Sequence, residues 1–305
     1  MAGARPRHLP FTGDGSRLRM GLRPLDLGDW LEVDEDLGAF LDHKAHVLET
    51  RPGDVVAVVD DPDGRVRRAG QELLDVLVQH LAECHATTHR RLGDAVVVDG
   101  GPEPVPVTPA ALDRAGIHPV DAAGRLVAED WAVQLRRSEG WTLDAASICS
   151  PTRWVLAEKL GRPMAAVHEP VAGYAEQLAA PVDRFFDRLE VDAPRWRLNW
   201  NLSDDDSLYQ PTGKYRTEPA DDLSAADVPD RIWLRVERQT LRRLPSTGAV
   251  VFGIRVHQDL LGRLAGRPEV LARLAGTIRS FPPGTLEHKS MGAFAPAVLE
   301  WIDRM

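Results

Sequence analysis

With 305 residues, 43% of them apolar and 27% charged, the chain is long enough for one elaborated domain or two small ones and has the composition of a soluble globular enzyme. A formal net charge of -9 speaks against a duplex-binding surface, although Arg195, Arg197, Arg235, Arg238, Arg242 and Arg243 cluster in sequence. Two cysteines are too few for a Cys-ligated iron–sulfur cluster or a Cys-rich zinc knuckle, and they argue against a disulfide-built secreted domain. The opening stretch MAGARPRHLPFTGDG has no apolar signal core and no apolar run reaches membrane-spanning length, so a cytoplasmic location is expected.

Residues 1–19 are polar and rich in Arg, Pro and Gly, and read as an extended segment; residues 20–305 read as one domain. Trp30, Leu31, Phe40, Leu41, Val47 and Leu48 fall at roughly helical spacing, and Pro52-Gly53 stops the run. Val55 to Val59 reads as a short strand before the turn Asp60 to Gly64. Gly70 to His85 is an amphipathic helix with Leu73, Leu74, Leu77, Val78 and Leu81 on one face. Asp94 to Val98 is another strand, and a short helix over Pro109 to Ala115 follows a proline-rich loop. Leu126 to Arg136 and Trp141 to Ile148 read as strands, and Gly173 to Leu189 as a helix.

RWRLNWNL, residues 195–202, alternates. Trp196, Leu198, Trp200 and Leu202 fall on one side, and Arg195, Arg197, Asn199 and Asn201 on the other, as in a half-buried antiparallel strand. Ile232 to Thr240 and Ala249 to His257 are two further strands joined by a turn, after a long polar loop from Asp204 to Asp230. Helices over Pro268 to Ser280 and Phe294 to Ile302 close the chain. The fold class expected is α+β, a curved antiparallel sheet of roughly five strands flanked by helices.

The chemistry-bearing stretch is ICSPTRWVLAEKLGRPMAAVHEPVAGY, residues 148–174. It holds Cys149 and His168, the residue types that most readily ligate a borderline metal. His168 lies between apolar neighbours and a proline, which restrains its backbone; read from the residues alone, a hydrogen-bonded core histidine is the favoured account. Glu237 lies on an alternating strand with Arg235, which leaves two roles equally open: a buried carboxylate for an ammonium group, or a salt bridge to a neighbouring arginine. Trp200 and Trp154 are either an aromatic wall for a cation or cofactor, or ordinary core tryptophans. Glu129-Asp130 is either a polar group near a pocket or a strand-end turn.

Four segments together carry a resemblance: MGLRPLDLGDWLEVDEDL (20–37), residues 148–174, RWRLNWNL (195–202) and RVERQTLRRLPSTGAVVFGIR (235–255). In them the chain resembles the haem-dependent oxidative N-demethylase family, typified by the α subunit of dimethylamine monooxygenase. The resemblance implies a PAS-like haem-binding fold that oxidises an amine's methyl group with dioxygen and electrons from a partner reductase. It implies haem b, with His168 as the proximal iron ligand and Cys149, His257 and His288 as rivals. Arg153, Arg197, Arg238 and Arg255 become candidates for the haem propionates, Trp154 for the cofactor wall, and Glu237 and Trp200 for the substrate. No dinucleotide fingerprint follows a strand, so the electrons would come from a separate reductase using NAD(P)H, flavin or an iron–sulfur centre. Two stretches depart from the family pattern. Cys149-Ser150-Pro151-Thr152-Arg153-Trp154 stands for Phe-Pro-Ser-x-Trp, and Pro170-Val171-Ala172 for Pro-Val-Pro; both bear on the substrate rather than on the fold. The alternative reading is a haem-based PAS-like sensor without catalysis.

Overall fold

Alternating apolar and polar residues in the second half of the chain build the middle of one large sheet. The computed structural model describes residues 6–16, 20–167, 179–213 and 223–305. Its main sheet joins β1 (Arg23–Pro24), β2 (Val56–Val58), β6 (Asp130–Arg137), β7 (Gly140–Ser147), β8 (Arg195–Ser203), β9 (Trp233–Arg243) and β10 (Val250–Leu260). Seven strands run in the order β1-β8-β9-β10-β6-β7-β2, and every neighbouring pair is antiparallel. A separate small sheet holds β3 (His89–Leu92), β4 (Ala95–Val98) and β5 (Val105–Pro106). The five strands expected in the main sheet are joined at one edge by β2, within the strand expected over Val55 to Val59, and at the other by β1, whose two residues are too few to show a period.

Local chemistry moves some boundaries. The stretch expected to be strand from Leu126 is preceded by a helix, Pro119–Leu126, and the strand begins at Asp130. Pro119 sits at the first helical position and the His118 ring caps the helix by accepting from the Val120 amide. The amphipathic helix starts at Arg65 rather than Gly70, because Gly64 takes the left-handed conformation and the Asp61 carboxylate accepts from the Val66 and Arg67 amides. Val55 ends a single helical turn from Pro52, so its strand begins at Val56. The expected helix over Gly173 to Leu189 appears as Ala179–Arg188, with residues 168–178 outside the described set.

One sheet face is packed against helices along its length. At the β10–β6–β7 end, the stripe of the Arg65–Cys84 helix and the Pro119–Leu126 helix close over Trp131, Val133 and Val251. Trp30 and Trp131, both fully buried, meet with ring centroids 5.5 Å apart. Gly253 makes room for Trp131: a Cβ there would lie 2.8 Å from the indole. At the other end the Pro268–Ser280 and Ala295–Asp303 helices cover Trp200, Leu202, Leu234 and Val236. Residues 6–16 carry no helix or strand and dock on this side, with Phe11 edge-on to Trp200 at 4.9 Å and the Gly13 amide donating to Thr277 Oγ1 at 3.0 Å.

The β9–β10 hairpin is pinned at its tip. Glu72, on the long helix, accepts from the Ser246 amide (2.6 Å), the Thr247 amide (2.8 Å) and Thr247 Oγ1 (2.5 Å). Among the described residues no helix is long and apolar enough to cross a membrane.

Candidate functional site

The other sheet face carries the polar side chains. Pairing sets Asn199 opposite Glu237 and Glu237 opposite Val256, with Arg197, Gln239 and Ile254 in the next row. Side chains of paired residues share a face, so Arg197, Asn199, Glu237 and Gln239 stand together. Glu237 is buried, and accepts hydrogen bonds from Thr152 Oγ1 at 2.5 Å, Gln239 Nε2 at 2.7 Å and Asn199 Nδ2 at 3.2 Å. These partners are neutral donors, and among the described residues no cation lies within ion-pair distance of the carboxylate. Its sequence neighbours do not pair with it: Arg235 turns to backbone carbonyls, and Arg238 faces the other way.

Thr152 reaches Glu237 because Arg235 fastens the loop after β7. Arg235 donates from Nε to Thr152 Oγ1 (2.9 Å) and from Nη2 to the Ser150 and Leu208 carbonyls (both 2.9 Å). Burial pulls the Arg235 pKa down to about 10, which still leaves it cationic at neutral pH. Arg153 adopts a left-handed backbone, φ 57°, and its side chain donates to the Lys289 and Ser290 carbonyls at 3.3 and 3.4 Å. A non-glycine residue in that conformation is strained and is held there by its surroundings, here the 2.6 Å bond from its amide to the Gln210 carbonyl. Lys289 donates to the Trp200 carbonyl at 2.6 Å and lies over the Trp200 and Phe281 rings at 5.3 and 6.0 Å. Burial lowers the Lys289 pKa to about 8, with Glu237 pulling the other way and Arg197 adding to the fall.

The residues singled out in the sequence divide between the two faces. Glu237 and Arg197 share one face, and Arg153 is tied to its rim through Ser203 and Asp204. Arg238 and Arg255 lie on the packed face. The first donates to the Trp30 (3.1 Å) and Asp29 carbonyls, and the second pairs with Asp34 at 2.9 Å. Trp200 is also on the packed face, between Phe11 and Phe281. Trp154 packs at the margin of the main core, with the Lys159 ammonium 5.7 Å above its ring. Cys149 is fully buried and burial pushes its thiol up to about 12, so it is protonated at neutral pH rather than a thiolate. His257 faces Glu32 on the packed face, and His288 ends the Pro283–His288 helix. Asp130 pairs with Lys44 at 3.2 Å in the core, and Glu129 beside it has its pKa raised by burial. His168 lies outside the described residues.

Sequence reasoning missed Thr152, Asn199, Gln239 and Lys289. Asn199 and Gln239 were within reach, since each shares the face of a residue already singled out. Thr152 and Lys289 arrive from loops, where no period applies.

Haem presents an apolar plane and two carboxylates. On the Glu237 face, Phe252 and Ile254 supply apolar side chains from β10, and Arg197 supplies a guanidinium in the same row as Ile254, while Leu241 is already buried in a cluster with Trp141, Phe186 and Leu189. Arg197, Asn199 and Gln239 stay only half-buried among the described residues. These residues fit the edge and floor of such a group. None of the described β8–β10 residues on this face is a His or Cys, so an iron ligand has to come from another segment.

The Glu237 face thus brings together a buried carboxylate held by neutral donors, apolar side chains and a guanidinium. The model of the haem-dependent oxidative N-demethylase, alpha subunit-like family matches residues 21–299, and the chain belongs to that family.

Proposed function

We propose that the protein is a haem-dependent monooxygenase that oxidatively demethylates an amine, with the reaction centred on the Glu237 face of the sheet. The observation that carries this reading is Glu237 itself: a buried carboxylate whose described partners are all uncharged donors. Arg235 and Lys289 act on this anion only through space, so the carboxylate itself is open to a charge-assisted hydrogen bond from a cationic guest. A protonated alkylamine is a cation small enough to be held there by a charge-assisted hydrogen bond.

In this reading, haem b supplies dioxygen activation when bound. The reaction balances as follows: an N-methylamine, dioxygen, two electrons and two protons give the demethylated amine, formaldehyde and water, the electrons coming from a separate reductase. Glu237 holds the amine nitrogen and so fixes which N-methyl carbon is presented. Thr152, Asn199 and Gln239 keep the carboxylate in one rotamer. Arg197 would hold a haem carboxylate, and His168 would supply an imidazole to the iron. Lys289, with its pKa near 8, adds positive charge on the rim and is a proton carrier within reach of neutral pH.

The test is formaldehyde release from small N-methylamines with haem, reductase, NAD(P)H and dioxygen. Glu237→Gln should lower kcat/KM by about 10–100-fold, as for the loss of one hydrogen bond to a charged group. Its Soret band should stay unchanged, whereas His168→Ala should lose or shift that band. Substrate-independent NAD(P)H consumption with no aldehyde, or equal turnover by Glu237→Gln, would overturn the reading.

A further inference from the structure

On the packed face, away from Glu237, three metal-ligating side chains converge from segments far apart in sequence. His8 comes from the N-terminal segment, Glu32 from the turn before the first long helix, and His257 from β10. His8 Nε2 lies 3.1 Å from Glu32 Oε1, and His257 Nε2 lies 2.8 Å from Glu32 Oε2. His8 Nε2 also lies 3.3 Å from Glu32 Oε2, so both imidazoles converge on one carboxylate. The three side chains are 14%, 7% and 10% exposed, so the cluster is nearly closed to solvent. We infer that His8, Glu32 and His257 bind one divalent transition-metal ion of the zinc or ferrous type, which ties the N-terminal segment to the sheet.

The donor set selects the ion. Two imidazoles and one carboxylate suit borderline metals rather than calcium or magnesium, and three protein ligands leave a position open. The donor atoms all lie within 4.8 Å of one another. Two ligands at tetrahedral angles on one zinc ion, at about 2.1 Å each, are about 3.4 Å apart, so the cluster closes on an ion by side-chain shifts of about 1–1.5 Å. The two imidazoles are not stacked: their centroids are 4.9 Å apart at 68°, which lets each turn its Nε2 toward a common point.

Charges around the cluster set its strength. Arg7 Nε lies 3.2 Å from Glu32 Oε1, and its side chain is 51% exposed, so a cation already stands at the mouth of the cluster and can swing out. Arg238 Nε is 3.6 Å from the same oxygen and stays, because its other nitrogens hold the Trp30 and Asp29 carbonyls. Arg255 is balanced by Asp34. The ion therefore competes with Arg7 and is weakened by Arg238. This inference is independent of the haem reading, since the cluster lies on the opposite face.

The experiment is calorimetric titration of Zn2+ into the full-length protein at neutral pH, repeated with His8→Ala and Arg7→Ala. His8 lies in the docked segment, so its loss should leave the circular dichroism spectrum intact. One Zn2+ per chain is expected, bound at least about tenfold more weakly by His8→Ala and more tightly by Arg7→Ala, which frees the carboxylate. If Arg7 masks the site completely, Arg7→Ala alone should bind, and the double variant with His8→Ala should not. Silence in both wild type and Arg7→Ala, or uptake that ignores the His8 substitution, overturns the inference and leaves an ion-pair cluster.

Discussion

The two faces of the sheet treat charge in opposite ways. On the packed face, charged groups answer one another: Arg255 meets Asp34, and Arg238 meets Glu32 and two carbonyls. Lys44 and Asp130 form a further buried pair where β6 begins. Burial works to raise the Glu32 pKa, but the hydrogen bonds of His257 and His8 and the charge of Arg238 hold it well below the usual carboxylate range. On the Glu237 face the carboxylate takes hydroxyl and amide donors only. A fold can surround a carboxylate with neutral donors and leave the balancing cations, here Arg235 and Lys289, out of contact with it. Charges on the packed face touch their partners, whereas Glu237 on the other face touches neutral donors alone among the described residues.

The comparison breaks most visibly where a paired charge loses its partner. Lys44 is 1% exposed and donates to the Gly124 and Glu129 carbonyls while pairing with Asp130. Lys44→Ala should cost about 3–5 kcal/mol, because it strands a buried carboxylate. Urea unfolding followed by circular dichroism measures this, and Asp130→Asn in the same chain should recover part of the loss.

A smaller effect comes from acid. Burial holds the His80 pKa near 4, against 6.5 for the free side chain, with His85 and Arg242 acting in the same direction. The unfolded chain therefore binds the proton first as pH falls. Stability is complete above about pH 6.5 and is lost as pH falls toward 4, by roughly 1–3 kcal/mol. His118, with its pKa also near 4, adds to this loss. Unfolding midpoints at pH 7 and pH 4.5 test it, and His80→Gln should flatten the dependence.

Smallest in stability is Glu237→Gln. Because its direct partners are neutral donors, removing this buried charge should change the unfolding free energy by no more than about 1 kcal/mol, although turnover falls. A large destabilisation by this substitution would show Glu237 to be a structural charge like those opposite it.

Periodicity made much of this legible. The alternation of residues 195–202 correctly put Arg197 with Asn199 and Trp196 with Trp200, and the helix over Pro268–Ser280 has the bounds its pattern predicts. The split of the arginines was implicit in the same rule: Arg235 and Glu237 share a parity that Arg238 does not. What local pattern cannot supply is partnership across the chain. Nothing near Asp34 points to Arg255, nothing near His8 points to His257, and Thr152 meets Glu237 only through a loop fastened by Arg235. Trp200 looked like a pocket wall because large aromatics serve both roles; its strand parity decided for the core.

Glu72 has a reach beyond its own contacts. Its three hydrogen bonds fix the tip of the β9–β10 hairpin, and the tip decides which β10 residue stands beside each β9 residue. Sliding a strand by a single residue exchanges its two faces throughout. Such a slip in β9 would turn Glu237 into the core and swing Val236 and Arg238 out to where substrate is expected. One carboxylate on a distant helix thus serves as a frame-keeper for the hairpin, holding the chemistry on the correct side of the sheet.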